Sequence, residues 1–206
     1  MSAVKSLVKF MGPWGYRYFR MPWDIGPREE LVTLVESGRI QPCRAIDLGS
    51  GTASNCVFLA QHGFDVTGVD LASSAIDLGH KRAAAAGVAV RFLVDDLTDL
   101  RQVQGTFDLL VDYGTLDDMR GGDRDAYVRN VLPLAHPGSL FLLFCFEWPA
   151  RRWERLFPFG LALEPGEVQR RFGPYFEIER IAGTDRPDFS KVIAATSTYL
   201  MTRTGE

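Results

Sequence analysis

The sequence predicts an α/β fold on a mostly parallel sheet. Two observations carry that reading. From residue 43 onward, short β-rich apolar runs alternate with helix-patterned stretches, the signature of successive βαβ units. The runs are also mostly apolar along their length, as strands covered on both faces are. At 206 residues the chain fits one domain, or one with a short appendage, and can bury a single core.

Taken in order, the expected strands are 43–48, 65–70, 88–94, 107–112 and 139–146. A leading helix is expected over about 27–37, and others over 53–62, 73–86 and about 123–132. The helix over 53–62 stops before Gly63, and the next opens at Ser73-Ser74 and closes at Gly87, in keeping with polar N-terminal caps and glycine C-terminal stops. Beyond the fifth strand the pattern changes. Arg151 to Phe159 is aromatic, basic and bounded by Pro149 and Pro158, which reads as an insertion on the site side, and a helix follows at about 164–172. Two final strand-like runs, Tyr175–Ile181 and Lys191–Met201, flank Gly183 to Asp188 and read as an antiparallel hairpin with a long turn.

Composition narrows the partners. Hydrophobic residues make up 46% and charged residues 24%, which suits a folded chain and not a disordered one. A net charge of −3 and a pI near 5.7 give no general attraction to nucleic acid or anionic lipid. Cys43, Cys56 and Cys145 are widely spaced and read as reduced thiols of a cytoplasmic protein. His62, His80 and His136 are scattered, so no metal site is expected. No targeting signal or membrane span is expected from the interrupted N-terminal apolar residues. The expectation is a monomer or weak homodimer acting on a small molecule.

The chemistry concentrates at Asp47-Leu48-Gly49-Ser50-Gly51-Thr52-Ala53, where the first strand meets the next helix. Gly49 and Gly51 permit a tight turn and a close backbone approach to a ligand, and the helix presents its N-terminus there. Asp70 closes the second strand about twenty residues on, where a carboxylate can accept both hydroxyls of a ribose. Asp95 and Asp96 close the third strand. A dinucleotide fingerprint would require Gly or Ala at the position of Ser54, and its pyrophosphate would be repelled by Asp47. That carboxylate suits instead the cationic amino group of a methionine moiety.

Asp47 to Ala53, Val69-Asp70, Val94 to Leu97 and Thr106 to Leu116 together resemble the successive cofactor motifs of class I S-adenosylmethionine-dependent methyltransferases. The resemblance covers about residues 22 to 200 and implies a Rossmann-like, doubly wound, seven-stranded sheet of order 3-2-1-4-5-7-6, the last strand antiparallel, with helices on both faces. It implies S-adenosylmethionine as cofactor and S-adenosylhomocysteine as product. Asp47 and Gly49, Ser50 and Gly51 would lie against the methionine part, Asp70 with Leu71 at the ribose, and Asp96 and Leu97 beside the adenine, with Asp95 as an alternative. Asp112-Tyr113-Gly114 would line the methyl-transfer face. Ala53 replaces the usual third glycine, which a negative φ would tolerate. Pro22 to Pro27, with its Trp-Asp-x-Gly core, is similar to the entry segment of thiopurine-, thiol- and halide-type enzymes, which makes Trp23 a lid residue. The single domain would then divide into a lid with leading helix, 1–38, and a core, 39–206.

Methyl transfer needs alignment and exclusion of water more than a base, and no compelling base stands in the sequence. Tyr113 is the candidate to face the substrate. Asp117 and Asp118 read as loop or cap residues, and His136, before Pro137-Gly138, as a turn residue. Glu147 and Trp148, with Trp153, Phe157 and Phe159, are either acceptor-pocket cover or plain packing. The aromatic, basic stretch Phe10 to Arg20 reads as a mobile lid, with a partner or membrane surface as the alternative. Competing activities are a protein lysine methyltransferase, a non-catalytic cofactor-binding protein and a dinucleotide oxidoreductase.

Overall fold

A computed structural model describes residues 26–149, 162–184 and 195–205. Within them a leading helix α1, Glu29–Glu36, precedes strand β1, Arg44–Leu48. There follow α2 (Ser54–Gln61), β2 (Asp65–Asp70), α3 (Ser73–Ala85), β3 (Arg91–Val94), β4 (Phe107–Tyr113) and α4 (Gly122–Val131). The chain continues through β5 (Ala135–Phe146), α5 (Glu167–Phe172), β6 (Phe176–Thr184) and β7 (Thr196–Arg203).

Among the described residues the strands form a seven-stranded sheet of order β3-β2-β1-β4-β5-β7-β6. Neighbours from β3 to β5 run parallel, whereas β7 pairs antiparallel with both β5 and β6. Each face is buried against a separate apolar cluster. Ile46, Leu48, Leu110, Phe141 and Leu143 point to the side of α4 and α5, and Ala45, Leu109, Val111 and Leu142 to the side of α1 and α2. The mostly apolar strand sequences follow from this double cover. Strand order reverses beside β1, between β2 and β4, which opens a crevice above the C-terminal ends of the strands.

Several boundaries differ from the sequence reading. The third strand begins at Arg91 and not at 88, because the chain is still closing α3: Gly87 has φ +68° and the Val88 N–H donates to the Ala83 carbonyl. The fifth strand starts earlier, at Ala135, so His136 stands within it and not in a turn; Gly138, at φ +87°, lies where the pairing with β4 shifts register. The helix expected over about 164–172 is helical only over Glu167–Phe172, after Gly166 at φ +77°. Trp23, the Phe10 to Arg20 stretch, Trp153, Phe157, Phe159 and the turn around Asp188 lie outside the described residues.

A further expectation is overturned. Ala53 has φ +69°, in the left-handed region that costs a residue with a Cβ roughly 1–2 kcal/mol, and it holds that shape fully buried. The turn enforces it: the Ala53 N–H donates to the Ser50 carbonyl at 2.8 Å, and the Ala53 carbonyl accepts from Val57 in the first turn of α2.

Candidate functional site

The glycine-rich turn begins where β1 ends. Its amides at Gly49 and Ser50 both donate to the Val69 carbonyl, at 2.8 and 2.9 Å, which folds the turn back toward β2. Gly49 has φ +82°, and a Cβ there would stand 2.0 Å from Oγ1 of Thr115, which itself donates to the Leu48 carbonyl. Glycine is therefore required at 49 both by conformation and by the approach of the turn after β4.

Asp70 joins this turn to the next. Its Oδ2 accepts the Gly51 N–H and its Oδ1 the Ala72 N–H, each at 2.8 Å. Burial pushes its carboxyl above the usual carboxylate value, against the pull of those amides. Leu71, beside it, is half-buried. The third strand end is tied in through the Asp95 N–H, which donates to the Asp70 carbonyl. The Asp95 carboxylate is occupied within its own loop by the amides of Asp96, Arg101 and Gln102. The Asp96 carboxylate holds the amide and hydroxyl of Thr98, and Leu97 is buried in the core.

Asp47 is buried on the α2 side of β1, with Oδ2 accepting the Cys56 thiol at 3.3 Å. Burial, the Cys56 contact notwithstanding, raises its carboxyl to about 7, with the nearby Asp70 adding to the effect and Arg28 opposing it. Asp112 faces the opposite side of the sheet, where the Tyr127 hydroxyl and the Thr115 N–H both donate to its carboxylate. Burial raises it to about 7 as well. Its side chain thus shapes the turn after β4.

Tyr113 ends β4 on the α1 side. Its ring stacks on Phe144, with centroids 4.4 Å apart and planes 5° from parallel, and the Arg28 guanidinium lies 4.5 Å from its centre. Its hydroxyl donates to Glu30, whose other oxygen accepts the Thr198 hydroxyl at 3.1 Å. Burial, then the Glu30 carboxylate, pushes the phenol well above its ordinary value, so Tyr113 is a neutral hydrogen-bond donor and not a base. Glu30, Arg28 and Thr198 were not among the residues singled out from sequence. Glu30 stands four residues before the buried Leu34 on α1, so it shares the inward face of that helix, and this was the available signal.

Past β4, Asp117 is buried, with Oδ2 accepting the Phe146 N–H at 3.2 Å and Oδ1 without a hydrogen-bond partner. Glu147 is committed to the Tyr199 hydroxyl at 2.7 Å and the Gly166 N–H at 3.2 Å. A buried ion pair, Arg124–Glu167 at 2.9 Å, fastens α4 to α5, and Arg124 also donates to the Ala162 carbonyl. Among the described residues no group of three or more His, Cys, Asp or Glu side chains is placed to hold a metal ion, and no helix is long and apolar enough to cross a membrane.

The sheet order and the three laced strand ends describe a known architecture, and residues 45–138 match the family described as a methyltransferase domain. The chain is thus similar to methyltransferases over residues 45–138, on a sheet of the class I order. The chain is 31% identical over 130 residues to a 2-heptyl-1-hydroxyquinolin-4(1H)-one methyltransferase of Mycobacteroides abscessus, a stretch covering 62% of this chain and 57% of that enzyme. It is 28% identical over 128 residues to the Arabidopsis thaliana protein named "Probable thiol methyltransferase 2", covering 61% of this chain and 56% of that protein. The chain thus spans little more than half the length of both relatives. Among solved structures, a Burkholderia thailandensis 1,6-didemethyltoxoflavin-N1-methyltransferase with bound 1,6-didemethyltoxoflavin and S-adenosylhomocysteine superposes with a TM-score of 0.74 at 19% identity, covering 98% of this chain and 87% of that one.

Proposed function

We propose that the protein transfers a methyl group from S-adenosylmethionine to a nucleophilic atom of a small molecule. The observation that carries this reading is the lacing of the glycine-rich turn to Asp70 and of Asp70 to Asp95, which aligns three strand ends along one crevice. The residues present fit the cofactor. Among the described residues, Ser50 Oγ is buried in the turn without a hydrogen-bond partner, and beyond the adjoining residues no atom lies within 4 Å of where a Cβ on Gly51 would stand, so the turn offers both a polar group and room. Asp47, Gly49, Ser50 and Gly51 would hold the methionine part, Asp70 and Leu71 the ribose, and Asp96 and Leu97 the adenine, with Trp23 covering the pocket.

The bound sulfonium supplies an activated methyl group. An acceptor lone pair would take that methyl carbon, with the carbon–sulfur bonding electrons left on sulfur. The chain's contribution is to align the partners and exclude water, which supplies on the order of 7–11 kcal/mol in favourable cases. Residues 1–38, as lid and leading helix, would close over the core formed by 39–206. The quinolone and toxoflavin-precursor enzymes among the similar proteins support a small acceptor.

A panel of thiols, phenols, N-hydroxy compounds, amines and halides, read by S-adenosylhomocysteine release, tests the proposal. Turnover of small acceptors is expected. Methylation confined to a lysine-containing protein would replace it with the protein-methyltransferase reading, and cofactor binding without turnover of any acceptor would leave a binding protein.

A further inference from the structure

Above the C-terminal ends of β4 and β5, four aromatic rings follow one another away from the glycine-rich turn. Tyr113 stands beside that turn, since Asp112 pairs with Leu48 across β4 and β1. Its ring stacks on Phe144; Phe144 meets Phe146 edge-on at 5.6 Å, and Phe146 meets Trp148 at 5.9 Å. Phe144 and Phe146 share one face of β5 because they are two residues apart on a strand. Tyr113 is taken up by Phe144 on one side and Arg28 on the other, so the inner rung is fixed. Phe146, the third ring, is 36% exposed although it is aromatic and next to the site, and Trp148 beyond it is half-buried.

We propose that this ladder is the acceptor subsite and that the acceptor is a planar aromatic heterocycle, stacked against Phe146 with its nucleophilic atom directed toward the turn after β1. The proposal rests on the methyltransferase reading above and deepens it. Three observations select a flat, apolar acceptor over a lysine side chain. An exposed aromatic edge at the rim of a methyl-donor site binds a ring by stacking, with preferred centroid separations of about 4.5–7 Å like those within the ladder. The nearby Glu147 carboxylate, which could have paired with an ammonium, is occupied by Tyr199 and Gly166. The Tyr113 phenol is a donor to Glu30 and takes no proton. The nucleophile consequently arrives competent, as a ring nitrogen or as an acidic hydroxyl or thiol whose proton has already passed to solvent. Its lone pair bonds to the methyl carbon while the carbon–sulfur electrons return to sulfur.

The test uses the full chain and acceptor pairs matched in nucleophile and acidity, for example hydroxyquinolines and mercaptopyridines against aliphatic hydroxamates and thiols. The aromatic members are expected to show kcat/KM at least about tenfold higher. Phe146→Ala should raise KM for them by about tenfold, with kcat within about twofold and S-adenosylhomocysteine affinity unchanged. Should the alanine variant fail to fold, Phe146→Leu keeps the apolar volume and removes the ring, and should raise KM in the same direction. Equal turnover of matched aliphatic acceptors, or an unchanged KM in a variant that still binds S-adenosylhomocysteine, overturns the subsite. Absence of S-adenosylhomocysteine binding in the unaltered protein would overturn the methyltransferase reading itself.

Discussion

One carboxylate, Asp70, accepts the Gly51 N–H with one oxygen and the Ala72 N–H with the other, both at 2.8 Å, so a single side chain holds the turns after β1 and β2 together. Removing it leaves two backbone donors without their acceptor. Asp70→Ala is expected to lower stability by about 1–3 kcal/mol, measured by denaturant unfolding, in addition to any effect on ligands. An unchanged midpoint would show that water replaces the carboxylate without cost.

The buried pair Asp112 and Tyr127 shapes the turn after β4 from behind. Tyr127→Phe deletes the hydroxyl and keeps the ring, leaving one Asp112 oxygen unsatisfied, and should cost about 1–3 kcal/mol. Thermal and chemical denaturation both report on it. Little or no loss would mean that Asp112 is satisfied without Tyr127.

Ala53 offers a test of strain. Ala53→Gly removes a fully buried methyl, worth roughly 0.8 kcal/mol, but also relieves the left-handed conformation, worth roughly 1–2 kcal/mol, while loosening the unfolded chain. The terms nearly cancel, so its stability should shift by less than about 1 kcal/mol. Ala45→Gly removes an equally buried methyl from β1 with no strain to relieve, and is expected to destabilise by more than about 1 kcal/mol. Equal losses at both positions would remove the strain argument.

The raised carboxyl of Asp47 gives a pH signature. Folding lifts it from an ordinary 3.8 to about 7, so between those values the folded protein binds a proton that the unfolded chain has released. Its contribution is fully present below about pH 4 and is lost progressively as pH rises to 7, so stability should fall from about pH 4 to pH 7 and level off above it. Asp47→Asn should flatten that slope, with the part due to Asp112 remaining. If a ligand ammonium lies beside Asp47, binding at pH 6.5 should release a proton, seen by calorimetry in buffers of different ionisation enthalpy. No proton release would place the ammonium elsewhere.

The fold was largely legible because strand alternation with helices is a periodic, local property, and each strand from 44 to 146 lies within a few residues of its expected place. The turn at Gly49 to Gly51 was legible for the same reason: its geometry is dictated by adjacent residues. Ala53 misled because a left-handed alanine is held by the turn around it, which composition does not reveal. Arg28 and Glu30 reach Tyr113 from the start of α1, and Thr198 on β7 reaches Glu30, a meeting that depends on packing between segments as far as 168 residues apart. Asp95 shows the converse limit: a carboxylate at the right strand end is used by its own loop amides.

The account stands most directly on one calorimetric titration of the purified chain with S-adenosylhomocysteine, alongside NAD and NADP. It predicts saturable, one-to-one binding of S-adenosylhomocysteine, weakened at least about tenfold in Asp70→Ala, and none of either dinucleotide. Saturable NAD or NADP binding with no response to S-adenosylhomocysteine would contradict it.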